Sequence, residues 1–318
     1  MSRQLLAVTV LHFLVELSNA SRPNQICFAE PNKQTFPQWA LTIGFATALP
    51  FLAAFPQSTS AEIVEWNLSN GSVRLENPLS IVLESTNAAT SQRPLTLRNP
   101  QLIGSGGGGA VFAFDDSSTL IKVSWEASAK SVERECRTLQ ALEKKNVEGA
   151  ERCLGRYTYP ADAPATDSES YSSSVVAAPR RVMIAVDPYV PDAVASIAEV
   201  SKGKQPDAVA QIVRTMVQML GANVVTIDVQ PLISKETGSV LFIDMTEAQN
   251  LSPPYSFLDR TLMSSFTTEM WTLIPEKFYP LAYRTVGSKI DALRRQGIEL
   301  SSEALEILEA QTDLQLMK

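Results

Sequence analysis

Residues 102–123 constrain this chain more than any other stretch. They comprise an apolar lead-in, a glycine-rich loop of pattern G-x-G-x-x-G-x-V, a strand-like Val-Phe-Ala-Phe, a polar turn and a second apolar run carrying Lys122. The residues after the glycines are more decisive than the glycines themselves. In a dinucleotide-binding domain the glycine turn opens a helix. Here Gly104, Gly106 and Gly109 lead into Val111, Phe112 and Phe114, so the loop joins two strands. Ile121 and Val123 flank Lys122 and leave the second strand by the face opposite to it.

Several chemistries are excluded by counting. The formal net charge of -7 argues against a general nucleic-acid binder, which needs a basic face. The single histidine is His12, inside an apolar N-terminal run. The region after that run therefore holds no Ser-His-Asp or Cys-His centre and no histidine-bearing zinc site. Its chemistry must rest on carboxylates, lysine, backbone N–H groups and metal-bound phosphate. The three cysteines form no C-x-x-C pair, and Cys27 falls in the leader-like region. Cys136 and Cys153 are expected as buried free thiols, with a disulfide between them as the alternative.

Two apolar segments precede the rest of the chain. Leu5–Leu17 has the size of a signal-peptide core and is followed by small residues at Ser18-Asn19-Ala20. Residues 21–61 combine a polar, transit-like stretch with a second apolar run, Trp39–Phe55, ending in Ser-Thr-Ser-Ala. The pair resembles a stacked plastid presequence leading to the thylakoid lumen. It also reads as a secretory signal followed by a membrane anchor, or as a cleaved signal with a second segment packed on the domain. Each reading brings the chain to a membrane through its N-terminal segment, in an exported or organellar setting.

Beyond residue 61 the pattern is first β-rich, then helical. Glu62–Leu68 and Ser72–Leu83 alternate around Asn70-Gly71, a hairpin signal, and residues 84–94 read as linker. Glu126–Glu143 has a helical apolar face, and Cys153–Tyr159 and Arg181–Val190 read as strands around a polar loop at 160–178. Pro206–Asn223 is the clearest helix, with an i, i+3, i+4 stripe from Val209 to Leu220 and a stop signal at Gly221. Val224–Val229 and Val240–Ile243 read as short strands, and the chain from Asp259 onward as helical.

In that order the elements resemble the protein-kinase-like superfamily over about residues 95–250, extending to 318. The resemblance implies an α+β, bilobal fold: a β-rich N-lobe at 95–190 with the glycine loop, and a mainly helical C-lobe at 191–318, preceded by a β-hairpin extension and linker at 62–94. Gly104, Gly106, Gly109 and Val111 match the loop that covers nucleotide phosphates. Lys122 matches the phosphate-pairing lysine, and Glu135 the helix glutamate that holds it, with Glu133 as the alternate. Asp228, followed by Pro231, matches the catalytic-loop aspartate, and Asp244 the metal-binding aspartate. The implied cofactors are ATP and Mg²⁺; the acceptor, small molecule or protein, is not named by the sequence.

The chain also departs from that pattern. Thr226 and Ile227 stand where the family has His and Arg. Ile233 replaces the asparagine that is the second metal ligand, and Met245 and Thr246 come after the metal aspartate. No Ala-Pro-Glu anchor is present; Leu251-Ser252-Pro253-Pro254 stands near its place. Two functional expectations result: a divergent ATP-dependent phosphotransferase, or a pseudokinase acting as a binding or scaffold module. Asn67, Asn70 and Asn250 lie in glycosylation sequons, and Tyr171–Ser174 in a phosphorylatable loop.

Overall fold

A computed structural model describes residues 62–83, 94–160 and 180–316. The N-terminal leader-like and apolar segments, the linker at 84–93 and the loop at 161–179 lie outside the described residues. Among the described residues no helix is long and apolar enough to cross a membrane.

The fold is α+β. Strands β1 (Glu62–Leu68) and β2 (Gly71–Asn77) form the hairpin expected at Asn70-Gly71. The expected second strand does not run on to Leu83. Pairing with β1 ends at Asn77, before the cis Asn77–Pro78 bond, and β3 (Leu79–Val82) joins a different sheet. That sheet also contains β4 (Pro94–Ser105), β5 (Gly109–Asp115), β6 (Leu120–Ser124), β7 (Arg152–Pro160) and β8 (Arg180–Asp187). It is six-stranded and antiparallel, in the order β3-β4-β5-β6-β8-β7. Helix α1 (Ala129–Lys144) connects β6 to β7.

Alternation along these strands builds a core on each face of the sheet. Phe112, Phe114, Ile121, Val123 and Met183 pack beneath the hairpin residues Val73 and Leu75, with Trp66 against Phe112 at 4.7 Å. The other face, through Ala113, Leu120, Ile184 and Val186, packs with Val132, Leu139 and Leu142 of α1 and continues into the helical part of the chain.

That part is built on α2 (Gln205–Gly221), whose Val209, Ile212, Val213, Met216 and Val217 are buried as the stripe requires. The left-handed residue after it is Asn223 (φ 56°), not Gly221, which packs against Leu293 and Leu300 instead. Against α2 pack α3 (Phe257–Thr272) and α4 (Tyr279–Arg295), and α5 (Ser302–Leu316) packs on α3 and α4; these are the expected C-terminal helices. A Ser256–Asp259 capping box fixes the start of α3.

Short strands flank α2 in the chain, one before it and four between it and α3. β9 (Ala193–Val194), β11 (Gln230–Ser234) and β12 (Val240–Ile243) make a three-stranded sheet. β10 (Val224–Val225) pairs with β13 (Gln249–Asn250). The expected strand Val224–Val229 stops after Val225. Thr226 Oγ1 donates to the Asp228 carbonyl and accepts from the Asp228 N–H, a local turn that displaces strand pairing.

The two cysteines are not free thiols. Cys136 of α1 and Cys153 of β7 form a disulfide, with Cα atoms 5.2 Å apart. Sequence spacing could not show that α1 would lie along β7; the structure brings the two residues face to face.

Candidate functional site

Lys122 sits mid-strand in β6, with Ile121 and Val123 turned to the hairpin side and Lys122 turned towards α1. Its Nζ donates to Glu135 Oε1 at 2.7 Å, so the expected partner on α1 is the observed one. Glu133, the alternate, is engaged elsewhere by Arg156 of β7. The lysine side chain is 14% exposed and the Glu135 side chain 2%.

A second carboxylate, which no sequence motif indicated, meets the same ammonium. Glu151 Oε2 accepts from Lys122 Nζ at 2.6 Å, with a side chain only 1% exposed. Glu151 precedes β7 and is held from several sides. Its N–H donates to the Phe242 carbonyl at 2.9 Å, and the Phe242 N–H donates to the Gly149 carbonyl at 2.7 Å. Gly149 adopts φ 79°, and a Cβ there would lie 2.5 Å from Thr215 Oγ1, so this segment rests directly on α2. Thr215 Oγ1 also donates to the Glu148 carbonyl at 2.8 Å. No local pattern announced Glu151: its partner is 29 residues away, and an acid before a strand is usually solvated.

Asp244 completes the charged group. The Phe242 contacts carry β12 past the Glu151 segment, and Asp244 comes just after β12 in the left-handed region, φ 57° and ψ 63°. A non-glycine residue held there is uncommon and concentrates at functional sites. Thr246 Oγ1 donates to Asp244 Oδ1 at 2.7 Å. The next residue, Met245, is buried, and its backbone favours the charged form of the Glu135 carboxylate. One turn of chain thereby carries Asp244 and borders Glu135.

The electrostatics are those of one cation among three acids. Burial disfavours the Lys122 cation, but Glu135 and Glu151 together outweigh it and hold the lysine above its ordinary pKa. Burial raises Glu135, and Asp244 raises it further against the pull of Lys122. Burial likewise pushes Glu151 up to about 7, offset by Lys122 and reinforced by Glu135 and Asp244. Arg152, next to Glu151, is taken up by Asp187 at 2.8 Å. A buried ionic group of this kind is costly and is a weak source of stability, which makes it a candidate for function.

The glycines divide by role. Gly109 pairs with Ser124, and a Cβ there would come within 2.1 Å of the Val123 carbonyl oxygen, so strand pairing itself demands glycine. Gly104 lies at a register shift between β4 and β5. Around Gly104, Gly106, Gly107 and Gly108 no atom lies within 4 Å of an added Cβ, which leaves the loop room for a bulky ligand. Its carbonyls are anchored: Trp125 Nε1 donates to Gly106 at 2.6 Å, Ser128 Oγ to Gly107 at 3.2 Å, and the Trp125 N–H to Gly108 at 3.1 Å. Val111 lies directly across from Lys122.

Asp228 is bonded outside the charged group. It is exposed, and its Oδ2 accepts from Gln230 Nε2 at 2.6 Å. Ile233, at the missing asparagine's place, is buried in β11 and paired with Val240 and Val194. Among the described residues no three His, Cys, Asp or Glu side chains are placed to hold a metal by themselves. A separate recess of about 270 Å³ at the Asp115 end of β5 is lined by Asn99 and Asp115. Asn99 and Gln101 already satisfy the Asp115 carboxylate there.

The site can therefore present a fixed ammonium with one of its three N–H bonds still to spend, beside a carboxylate suited to a hard cation. No family model matches the chain, and no curated protein matches it.

Proposed function

We propose that the protein is a divergent, bilobal protein-kinase-like phosphotransferase that binds ATP with Mg²⁺. The observation that carries the reading is the buried Lys122–Glu135 ion pair at 2.7 Å, joining a strand next to a glycine loop to the following helix. That pair is the arrangement kinase-like sites use to hold nucleotide phosphates. The open glycine loop and the left-handed Asp244 support it. The six-stranded sheet is larger than that family's N-lobe sheet; β3 is the extra edge strand.

The residues fit the cofactors in a specific way. Lys122 would hold phosphate oxygens, Gly106–Gly108 would leave space for them, and Asp244 would be the protein ligand of Mg²⁺. When bound, ATP supplies the transferable phosphoryl group and Mg²⁺ neutralises its charge. With no three-acid cluster in place among the described residues, the metal would share Asp244 with the phosphates, as Mg²⁺ commonly does. Asp228 would orient the acceptor hydroxyl. The exported or organellar setting and the N-terminal membrane contact belong to the same proposal. The disulfide favours an oxidising compartment.

The second reading is a pseudokinase, a nucleotide-binding or scaffold module for a protein partner. Buried, apolar Ile233 favours it, since no ligand stands there to hold a second metal. One experiment addresses both readings: nucleotide titration of the purified chain by thermal shift, with and without Mg²⁺, followed by ATP turnover. Binding raises apparent stability. Lys122→Met and Asp244→Ala are expected to abolish the ATP-dependent shift; an unchanged shift in both would sink the proposal. Turnover abolished by Asp228→Asn selects the phosphotransferase, and binding without turnover selects the pseudokinase.

A further inference from the structure

Lys122 has one carboxylate more than a phosphate-pairing lysine needs. Glu135 alone would orient the ammonium and leave it a net attraction for phosphate. Glu151 adds a second contact, 2.6 Å long and as deeply buried as the first. It cannot readily swing aside. Its segment bonds to Phe242 on both sides, rests on Thr215 through Gly149, and is tied two residues on by Cys153 to Cys136, the neighbour of Glu135.

The charge balance is then unfavourable to a bare polyphosphate. The charged groups shaping the site are Lys122 on β6, Glu135 on α1, Glu151 before β7 and Asp244 after β12. One ammonium is shared by two carboxylates, and a third, Asp244, acts on both of them. At this burial, where solvent screening is weak, the surplus repels an arriving anion. A divalent cation carried by the nucleotide reverses the sign of that encounter.

We propose that Glu151 is a specificity-determining residue that restricts the site to polyphosphates already carrying a divalent cation, by cancelling the attraction of Lys122 for free ones. The inference rests on the nucleotide-binding reading of the site. In it Glu151 touches Lys122 and not the ligand, so its effect is on which charge state of nucleotide is accepted.

The test is calorimetric titration of the full chain with ATP in excess Mg²⁺ and with ATP in EDTA, at pH 8. Wild-type protein is expected to bind in Mg²⁺ and to lose most of its affinity in EDTA. Glu151→Gln keeps the side chain's length and its acceptor for Lys122 but removes the charge. It is expected to narrow the EDTA penalty by about tenfold or more, chiefly by tightening free ATP. Glu151→Asp, which keeps the charge, is expected to retain the wild-type penalty. Equal weakening of both ligands by Glu151→Gln, or an unchanged EDTA penalty, would show a merely structural role and overturn the proposal. Wild-type data alone can also overturn it, if free ATP and Mg-ATP bind equally well, so it does not depend on a variant folding. Absence of nucleotide binding under every condition would instead remove the nucleotide-binding reading itself.

Discussion

The two faces of strand β6 solve opposite problems with alternate residues. Towards the hairpin, Ile121 and Val123 enter a dry core with Phe112 and Met183, where burial is favourable wherever shapes match. Towards α1, Lys122 enters a nearly solvent-free ionic group whose burial is unfavourable unless every partner is placed. The apolar face holds itself together. The charged face is held by structure built elsewhere: the disulfide and the Phe242–Gly149 and Phe242–Glu151 bonds. Stability should therefore be lost most directly from the first face, and function from the second.

The largest effect is expected on the apolar face. Phe112 is fully buried under Trp66, and Phe112→Ala should cost about 4 kcal/mol by removing transfer free energy and leaving a cavity. Urea unfolding followed by tryptophan fluorescence measures it. A cost below about 1 kcal/mol would mean that the hairpin collapses onto the sheet and that this core is less closely packed than its burial implies.

The disulfide tests the support of the charged face. The bond closes a loop with a sequence separation of 17. Loop-closure entropy predicts a loss of about 3 kcal/mol in the Cys136→Ser/Cys153→Ser protein. Reduced wild type should melt like that variant. The comparison sharpens if nucleotide binding falls more steeply on reduction than in Phe112→Ala, because the bond lies one residue from Glu135 and two from Glu151. Melting temperatures identical with and without reductant would count against the pairing.

These two faces were not equally legible in the sequence. Alternation around Lys122 gave the strand and its direction because a period of two is a local property. Helix α2 was readable because its i, i+3, i+4 stripe is a local property too. Glu135 was distinguishable from Glu133 only by motif; the structure separates them through Arg156, a residue on another strand. Glu151 and the Cys136–Cys153 bond depend on how α1, β7 and β12 meet, and no short window encodes that. Gly109 reads as a phosphate contact in the sequence, but the Val123 carbonyl at 2.1 Å from its missing Cβ supplies a reason within the sheet. The turn at Thr226–Asp228 was lost in an apolar run because Thr226 bonds its neighbour's backbone.

Acid titration separates the faces without mutation. Glu151 rises from 4.5 to about 7 on folding, and Glu135 rises too. A carboxyl with a raised native pKa binds its proton more tightly when folded, so its contribution is greatest below the unfolded value. Native stability should therefore fall as pH rises from about 5 to 7, by on the order of 1 kcal/mol or more. Lys122 works in another window: its contribution is intact below 10.5 and is lost as pH climbs from there through its raised native value. Glu151→Gln should flatten the slope between pH 5 and 7, whereas Phe112→Ala should shift the whole curve without changing its shape. A wild-type curve that rises across this interval would show that Glu151 is ionised at little cost.

The smallest effect distinguishes two glutamates on one helix. Glu133 and Glu135 are separated by one residue on α1, and each pairs with a cation on the sheet. Glu133 and Arg156 are about one-third exposed, at 34% and 39% of their side chains, so water and salt screen their attraction. Glu133→Ala should cost about 0.5 kcal/mol at most, and that cost should vanish in high salt. Glu135→Ala leaves Lys122 with Glu151 alone, so its cost should exceed that of Glu133→Ala by about 2 kcal/mol and persist in salt. Chemical denaturation with urea at low and high NaCl concentration measures both. Equal costs would mean that the burial of Glu135 carries no energetic consequence, and the contrast between the two faces of β6 would lose its basis.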